Sequence, residues 1–146
     1  MDILQKYIDN AEGIVLKAEN DKYLSVISYP DRAAIEASKD VKDNYCIFHI
    51  TKIDDFTIAL QSKSWNNKYL SRIWRNGDDN IEAAKDAIDE FCLFKVYVVD
   101  RKIIFKADNS KFFAINRVNW NNNIEAKSPP GNVAKFKIES ARNMML

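Results

Sequence analysis

From residue 14 onward, apolar residues recur mostly at every second position. Ile14-Leu16-Ala18, Ile58-Leu60-Ser62 and Ile103-Phe105-Ala107 each follow this alternation, which predicts strands with one face buried and one in water. A polar turn follows each run, formed by Glu19-Asn20-Asp21, by Lys63 to Asn67, and by Asp108-Asn109-Ser110. A second run then carries an aromatic anchor, as Tyr23-Leu24, Tyr69-Leu70 and Phe112-Phe113. A third reads Ile-Glu-Ala three times, which predicts inward Ile and Ala and outward Glu36, Glu82 and Glu125. A fourth places Cys46-Phe48-Ile50, Cys92-Phe94-Val96 and Ala134-Phe136-Ile138 on one face.

These runs repeat in register. Tyr23, Tyr69 and Phe112 are 46 and 43 residues apart, as are Ile35, Ile81 and Ile124, and Phe48, Phe94 and Phe136 are 46 and 42 apart. Self-similarity at a fixed period sets the architecture before any local reading does. Three copies of four short strands, none able to bury its apolar face alone, predict an all-β, pseudo-threefold barrel with a hairpin cap, a β-trefoil, in which closure removes exposed sheet edges. A propeller of three blades falls below the usual minimum of four. The repeats span about 13–55, 56–100 and 101–141 of one domain, 13–141, followed by a tail, 142–146. Glycine and proline number only three each, so Asn, Asp and Ser must make most of the turns. Residues 87–91 are read as the loop between the third and fourth strands of repeat two, equivalent to 41–44.

Residues 1–12 have helical spacing at Ile3, Leu4, Tyr7, Ile8 and Ala11, with Gly13 placed to end the helix, and predict a cap over one end of the core. The N-terminus lacks the basic and apolar regions of a signal peptide, and no apolar run reaches the length of a membrane span. A cytoplasmic or nuclear location without membrane insertion is therefore expected. Net charge is +1, from 22 basic and 21 acidic residues, which argues against a nucleic-acid surface. Cys46 and Cys92 sit at matching places where repeat three has Ala134, so buried free thiols are expected.

The candidate chemistry is sparse. His49 is the one histidine, on the outward phase of a strand. With no second histidine and no cysteine cluster, neither a metal site nor a catalytic dyad is expected. There is no phosphate loop or dinucleotide fingerprint. The chain reads as no enzyme and needs no cofactor. What remains is the segment between the second and third strands of each repeat, Ser28–Arg32, Ile73–Asn80 and Asn116–Asn123. Each joins a large aromatic to carboxamides or charged groups. Sugars stack their C–H faces on a ring and bond their hydroxyls to such groups, which makes Trp74, Arg75, Asn76, Asp78, Asn80, Asn119, Trp120 and Asn121 the candidate carbohydrate-binding residues. On the other reading of the same residues, the tryptophans pack on neighbouring strands and the asparagines only turn the chain.

The ordered set Leu60-Gln61-Ser62-Lys63, Asn67-Lys68-Tyr69-Leu70-Ser71-Arg72, Ile81-x-Ala83 and Cys92-Leu93-Phe94-Lys95, with Asp100 following, resembles the agglutinin domain of the amaranthin-type lectins of plants. The likeness extends more loosely over repeats one and three. It implies a β-trefoil lectin for galactose-type glycans, notably N-acetylgalactosamine in the T-antigen disaccharide. It also implies a sugar site near a subunit interface beside an Asn-bearing loop, which here offers Trp74 and Asn76. The family's aromatic beyond that asparagine is replaced by Gly77 and Asp78. Since the family lectin carries two such domains and this chain one, an interface site would require a homodimer. Single motifs such as Lys68-Tyr69-Leu70 are shared with fascin-like trefoils, so a protein-interaction or actin-binding trefoil is the alternative. The Gln-x-Trp repeat of ricin-type trefoils is absent.

Overall fold

The computed structural model describes residues 2–8, 11–116, 121–128 and 133–141. Helix α1 (Asp2–Ile8) is followed by β1 (Ile14–Lys17), β2 (Tyr23–Tyr29), β3 (Arg32–Lys39), β4 (Phe48–Lys52), β5 (Thr57–Ser62) and β6 (Tyr69–Arg75). Then come β7 (Asp78–Lys85), β8 (Phe94–Val99), β9 (Lys102–Lys106), β10 (Phe112–Ile115), β11 (Ile124–Ser128) and β12 (Lys137–Ser140). These twelve described strands fall into the three repeats of four that the sequence predicts.

Six of them close a barrel. β1 pairs with β4, β4 with β5, β5 with β8, β8 with β9, and β12 with β1. The Ile103–Phe136 bridge joins the β9 side to the β12 side. The remaining six form three hairpins, β2–β3, β6–β7 and β10–β11. The hairpins join one another in a ring, through Ala34 opposite Glu82, Asn80 opposite Glu125, and Asn123 opposite Glu36. Each of these bridges uses the same two positions of successive repeats, which is what a pseudo-threefold axis requires.

The core fills the space between barrel and hairpins. Phe48, Phe94 and Phe136 are fully buried, as are Ile35, Ile81 and Ile124. Phe94 meets Phe113 edge-on, with ring centroids 5.0 Å apart at 77°. Phe105 links Phe113 to Phe136 at 5.2 and 5.7 Å. Such aromatic geometries add to the gain from burying the rings. Helix α1 packs beside β4, with Leu4 inside the main core and Tyr7 and Ile8 against it.

Several local expectations are corrected. The first run of each repeat is not half-solvated, since Ile14 to Leu16, Thr57 to Leu60 and Ile103 to Phe105 are buried at every position. The outer face is covered too, as where Val15 packs with Cys46, Ile47 and Ala141. Cys46 and Cys92 do not begin strands but end short 3-10 turns, Asn44–Cys46 and Glu90–Cys92. Asp43 and Asp89 cap these turns by accepting from the N–H of Tyr45 and Phe91 at 3.0 Å each. Lys39 and Lys85 hold the two caps at 2.7 and 2.6 Å. The 87–91 segment is thus a loop carrying one such turn. Both cysteines are free and buried, and burial pushes their thiols up in pKa. Such thiols are poor nucleophiles.

Gly13 is set apart from the described helix, Asp2–Ile8, by a turn at residues 11 and 12. It precedes β1 with φ +86°, and its carbonyl accepts from the N–H of Ala141 at 2.9 Å. A Cβ there would lie 2.8 Å from both Ile47 Cγ2 and the Phe48 carbonyl oxygen. Gly13→Ala is therefore expected to lose about 2 kcal/mol, the usual scale for strain at a left-handed, crowded position. Urea denaturation measures this, and an unchanged midpoint would contradict the packing described.

Candidate functional site

The residues Ile73–Asn80 were expected to form a loop, yet nearly all of them are strand. β6 runs through Arg75 and β7 begins at Asp78. The turn is Asn76-Gly77 alone, with φ of +50° and +88°. Two residues of positive φ, of the Asn-Gly type, match the right-handed twist of the flanking strands. The pairing continues to the tip, with Trp74 opposite Asp79 and Arg75 opposite Asp78. Repeat one behaves alike, because only Pro30 and Asp31 separate β2 from β3. The candidate side chains thus stand on ordered hairpins.

At the base of this hairpin, Arg72 reaches repeat three. Its Nε and Nη2 donate to the two carboxylate oxygens of Asp108 at 2.6 and 2.8 Å, and its Nη1 to Asp79 at 2.7 Å. Asn109 donates to the other Asp79 oxygen at 3.2 Å. Charge-assisted paired bonds of this kind fix orientation as well as adding energy.

The three hairpins surround a cavity of about 430 Å³. Repeat two contributes Trp74, Arg75, Asn76, Asp78, Asn80 and Ile81; repeat one Asp31, Arg32 and Ala34; repeat three Asn116, Asn123 and Glu125. Five of the eight candidate residues therefore line one space. Asn121 is exposed and does not line it. Asn119 and Trp120 lie outside the described residues. Trp74 is 65% exposed, so the packed reading of this tryptophan does not hold. His49 sits on the barrel opposite Gln61 and outside the cavity, with its pKa lowered by burial and then by Lys63.

Glu36, Glu82 and Glu125 were expected to face water. All three are buried, because the ring of inter-hairpin bridges covers the face that simple alternation assigns to solvent. Buried carboxylates need partners, and each repeat supplies a different one. Tyr29 donates its hydroxyl to Glu36 at 2.5 Å. Arg75 donates Nε and Nη2 to Glu82 at 2.6 and 3.1 Å. The Asn116 amide spans both oxygens of Glu125 at 3.0 and 3.2 Å. Asn123 donates to Asn80 at 3.0 Å and ties repeat three to repeat two. The repeated Ile-Glu-Ala register was the available signal that these glutamates share a place. Nothing in a period of two shows that neighbouring hairpins enclose them.

The partners set the titration. Arg75 is raised in pKa, first by its bond to Glu82. Tyr29 is pushed up to about 12 by burial and then by Glu36. Burial raises Glu36, while the Tyr29 bond and Arg32 pull the other way. A carboxyl raised on folding favours the folded state below its unfolded pKa, and that contribution is lost as pH rises through the folded value. Glu36→Gln keeps an acceptor for Tyr29 and removes the buried charge. It is therefore expected to be more stable than wild type at neutral pH, with the gap closing toward acid pH. Thermal melts across that range measure it, and a variant destabilised equally at all pH values would contradict the assignment.

By sequence, no protein-family model matches the chain, and no curated protein matches it significantly. By structure, it is similar to the designed 3-fold symmetric protein ThreeFoil, with TM-score 0.71 and 14% identity over 86% of this chain and 96% of that one. It is also similar to Cry35Ab1, with TM-score 0.71 and 14% identity over 90% of this chain and 36% of that one. A third likeness is to Polyporus squamosus lectin, solved bound to the human-type influenza-binding epitope Neu5Aca2-6Galb1-4GlcNAc, with TM-score 0.71 and 10% identity over 88% of this chain. The chain spans about a third of Cry35Ab1 and about half of the Polyporus lectin. These likenesses show a shared fold. Among the described residues no helix is long and apolar enough to cross a membrane.

Proposed function

We propose that this chain is a non-enzymatic, carbohydrate-binding β-trefoil, a lectin, whose site is the cavity between the three hairpins. The observation that carries the reading is the exposed face of Trp74 beside Asn76, Asp78 and Asn80 on one ordered hairpin. An indole supplies a platform for the apolar face of a pyranose. The carboxylate and amides accept from and donate to its hydroxyls. Arg75, already held by Glu82, stiffens the hairpin beneath. The resemblance to amaranthin-type agglutinins narrows the ligand to galactose-type glycans, with N-acetylgalactosamine of the T-antigen disaccharide as the first choice. That the similar Polyporus lectin was solved with a glycan supports the class and leaves the sugar to be decided by this chain's own residues.

A glycan array with wild type, Trp74→Ala and Asn76→Ala tests the proposal. Wild type is expected to bind galactose-terminated glycans. Trp74→Ala is expected to weaken that binding by about tenfold or more, the worth of one aromatic contact at a small site. Unchanged binding in both variants would reject this cavity as the site.

A further inference from the structure

We propose that the glycan site is an extended one. A galactose-type oligosaccharide, with its terminal residue on Trp74, crosses Arg75 and lays its next residues against Trp65, in a second cavity on the flank between hairpins β2–β3 and β6–β7. This rests on the lectin reading and specifies its substrate class as an oligosaccharide. Two observations support it, one a departure from the internal symmetry and the other the contact between the two cavities.

Repeats one and three make the turn after their first strand in the same way. Asn20 and Asn109 each accept from the N–H two residues on, that of Lys22 at 3.1 Å and that of Lys111 at 3.0 Å. Each also donates to the third strand of its repeat, at the carbonyls of Ala37 and Ala126, at 3.0 Å. Repeat two departs from this pattern. Its turn is two residues longer, and no described side chain reaches the corresponding Ala83 carbonyl. The loop instead closes on itself, with the Ser62 N–H on the Lys68 carbonyl at 2.8 Å and the Lys68 N–H on the Trp65 carbonyl at 3.0 Å. Asn66 and Asn67 both take positive φ, +51° and +55°, which residues other than glycine adopt at a cost. Two repeats fold without this insertion, so the trefoil does not require it. What it brings is the half-buried indole of Trp65. Trp65 lines a cavity of about 320 Å³ together with Ala83 and Ala84 of β7 and Tyr29 and Pro30 of the neighbouring hairpin. That volume is within the range of small-ligand sites, roughly 300–1,000 Å³, and an indole suits the C–H face of a pyranose.

The two cavities adjoin. Asp31, Arg32 and Arg75 line both. Arg75 Nη2 reaches the Asp31 carbonyl at 3.3 Å, so the ridge between the cavities is where hairpin one meets hairpin two. Glu82 fixes Arg75 there through Nε and Nη2, and no described residue accepts from its Nη1. A guanidinium N–H already held in place can donate to a hydroxyl or linkage oxygen of a glycan lying across the ridge. Each side of the ridge then offers one indole. Joining the two sugar residues makes the second contact intramolecular, so affinity should rise with chain length.

NMR and calorimetric titration of the intact chain with methyl galactoside and with galactose-terminated di- and trisaccharides tests the inference. Methyl galactoside is expected to shift the indole N–H of Trp74 and leave that of Trp65 in place, whereas the trisaccharide should shift both together. The trisaccharide is expected to bind about tenfold more tightly than methyl galactoside, the worth of a second aromatic contact. That ratio should approach one in Trp65→Ala. It should do the same in Ala84→Gln, which fills the flank from an exposed strand position. Binding of all three sugars with no gain in length and Trp65 unmoved would overturn the inference and leave the lectin reading standing. Absence of binding by every sugar would overturn both. A gain with length that survives both variants would overturn the assignment to this flank. A Trp65 indole that moves with methyl galactoside as readily as that of Trp74 would make the flank a separate site and overturn the extension.

Discussion

Replacing Phe94 with alanine is expected to cost about 3–5 kcal/mol, the range for truncating a fully buried phenylalanine. For a domain of this size that lowers the melting temperature by roughly 10–15 °C. The ring is 0% exposed and meets Phe113 edge-on. Removing it leaves a hole lined by Phe113 and by whatever part of the Phe105–Phe136 cluster fails to collapse. Phe112 is a natural control. It lies beside Phe113 in the chain but packs on the surface against Tyr97 and Lys106, so Phe112→Ala should lose much less. Chemical denaturation of the pair decides the matter. A loss below about 1 kcal/mol for Phe94→Ala would contradict the shared threefold core.

The second large effect belongs to Arg75. Arg75→Ala strands Glu82, whose side chain is 2% exposed, without its two guanidinium bonds. Breaking one side of a buried ion pair usually costs about 3–5 kcal/mol, and the partial exposure of Arg75 argues for the lower end, roughly 2–3 kcal/mol. Arg75→Lys keeps a charge but not the two-pronged geometry and should fall between. Parallel denaturation curves of the two variants and wild type measure this, and an unchanged midpoint in Arg75→Ala would show that Glu82 does not depend on the guanidinium.

The two substitutions also mark what could be read from the sequence. The phenylalanine positions were legible because three copies held the same spacing, and only a closed threefold arrangement buries all three equally. Trp74, Arg75, Asn76, Asp78 and Asn80 were legible because an aromatic among polar groups stands out, though their segment is a two-residue turn on a hairpin and not a loop. The fate of Glu82 was hidden. Alternation is a property of one strand, whereas the burial of Glu36, Glu82 and Glu125 comes from neighbouring hairpins closing over them. Asp31, Arg32, Asn116 and Asn123 lie in segments the sequence singles out, yet their convergence with Glu125 on one cavity was hidden, because the hairpins meet only about the pseudo-threefold axis. The 3-10 turns at Cys46 and Cys92 were foreshadowed by Asp43 and Asp89, each three residues earlier, a capping signal overshadowed by the apolar pattern.

The most direct measurement is a two-dimensional amide and indole NMR titration of the intact chain with methyl galactoside and methyl N-acetylgalactosaminide. The indole N–H of Trp74, the side-chain amides of Asn76 and Asn80, and the backbone at Gly77 and Asp78 are expected to shift together and saturably, while the indole of Trp65 stays in place. Saturable shifts confined to other surfaces, or none at any sugar concentration that leaves the protein folded, would contradict a glycan site between the three hairpins.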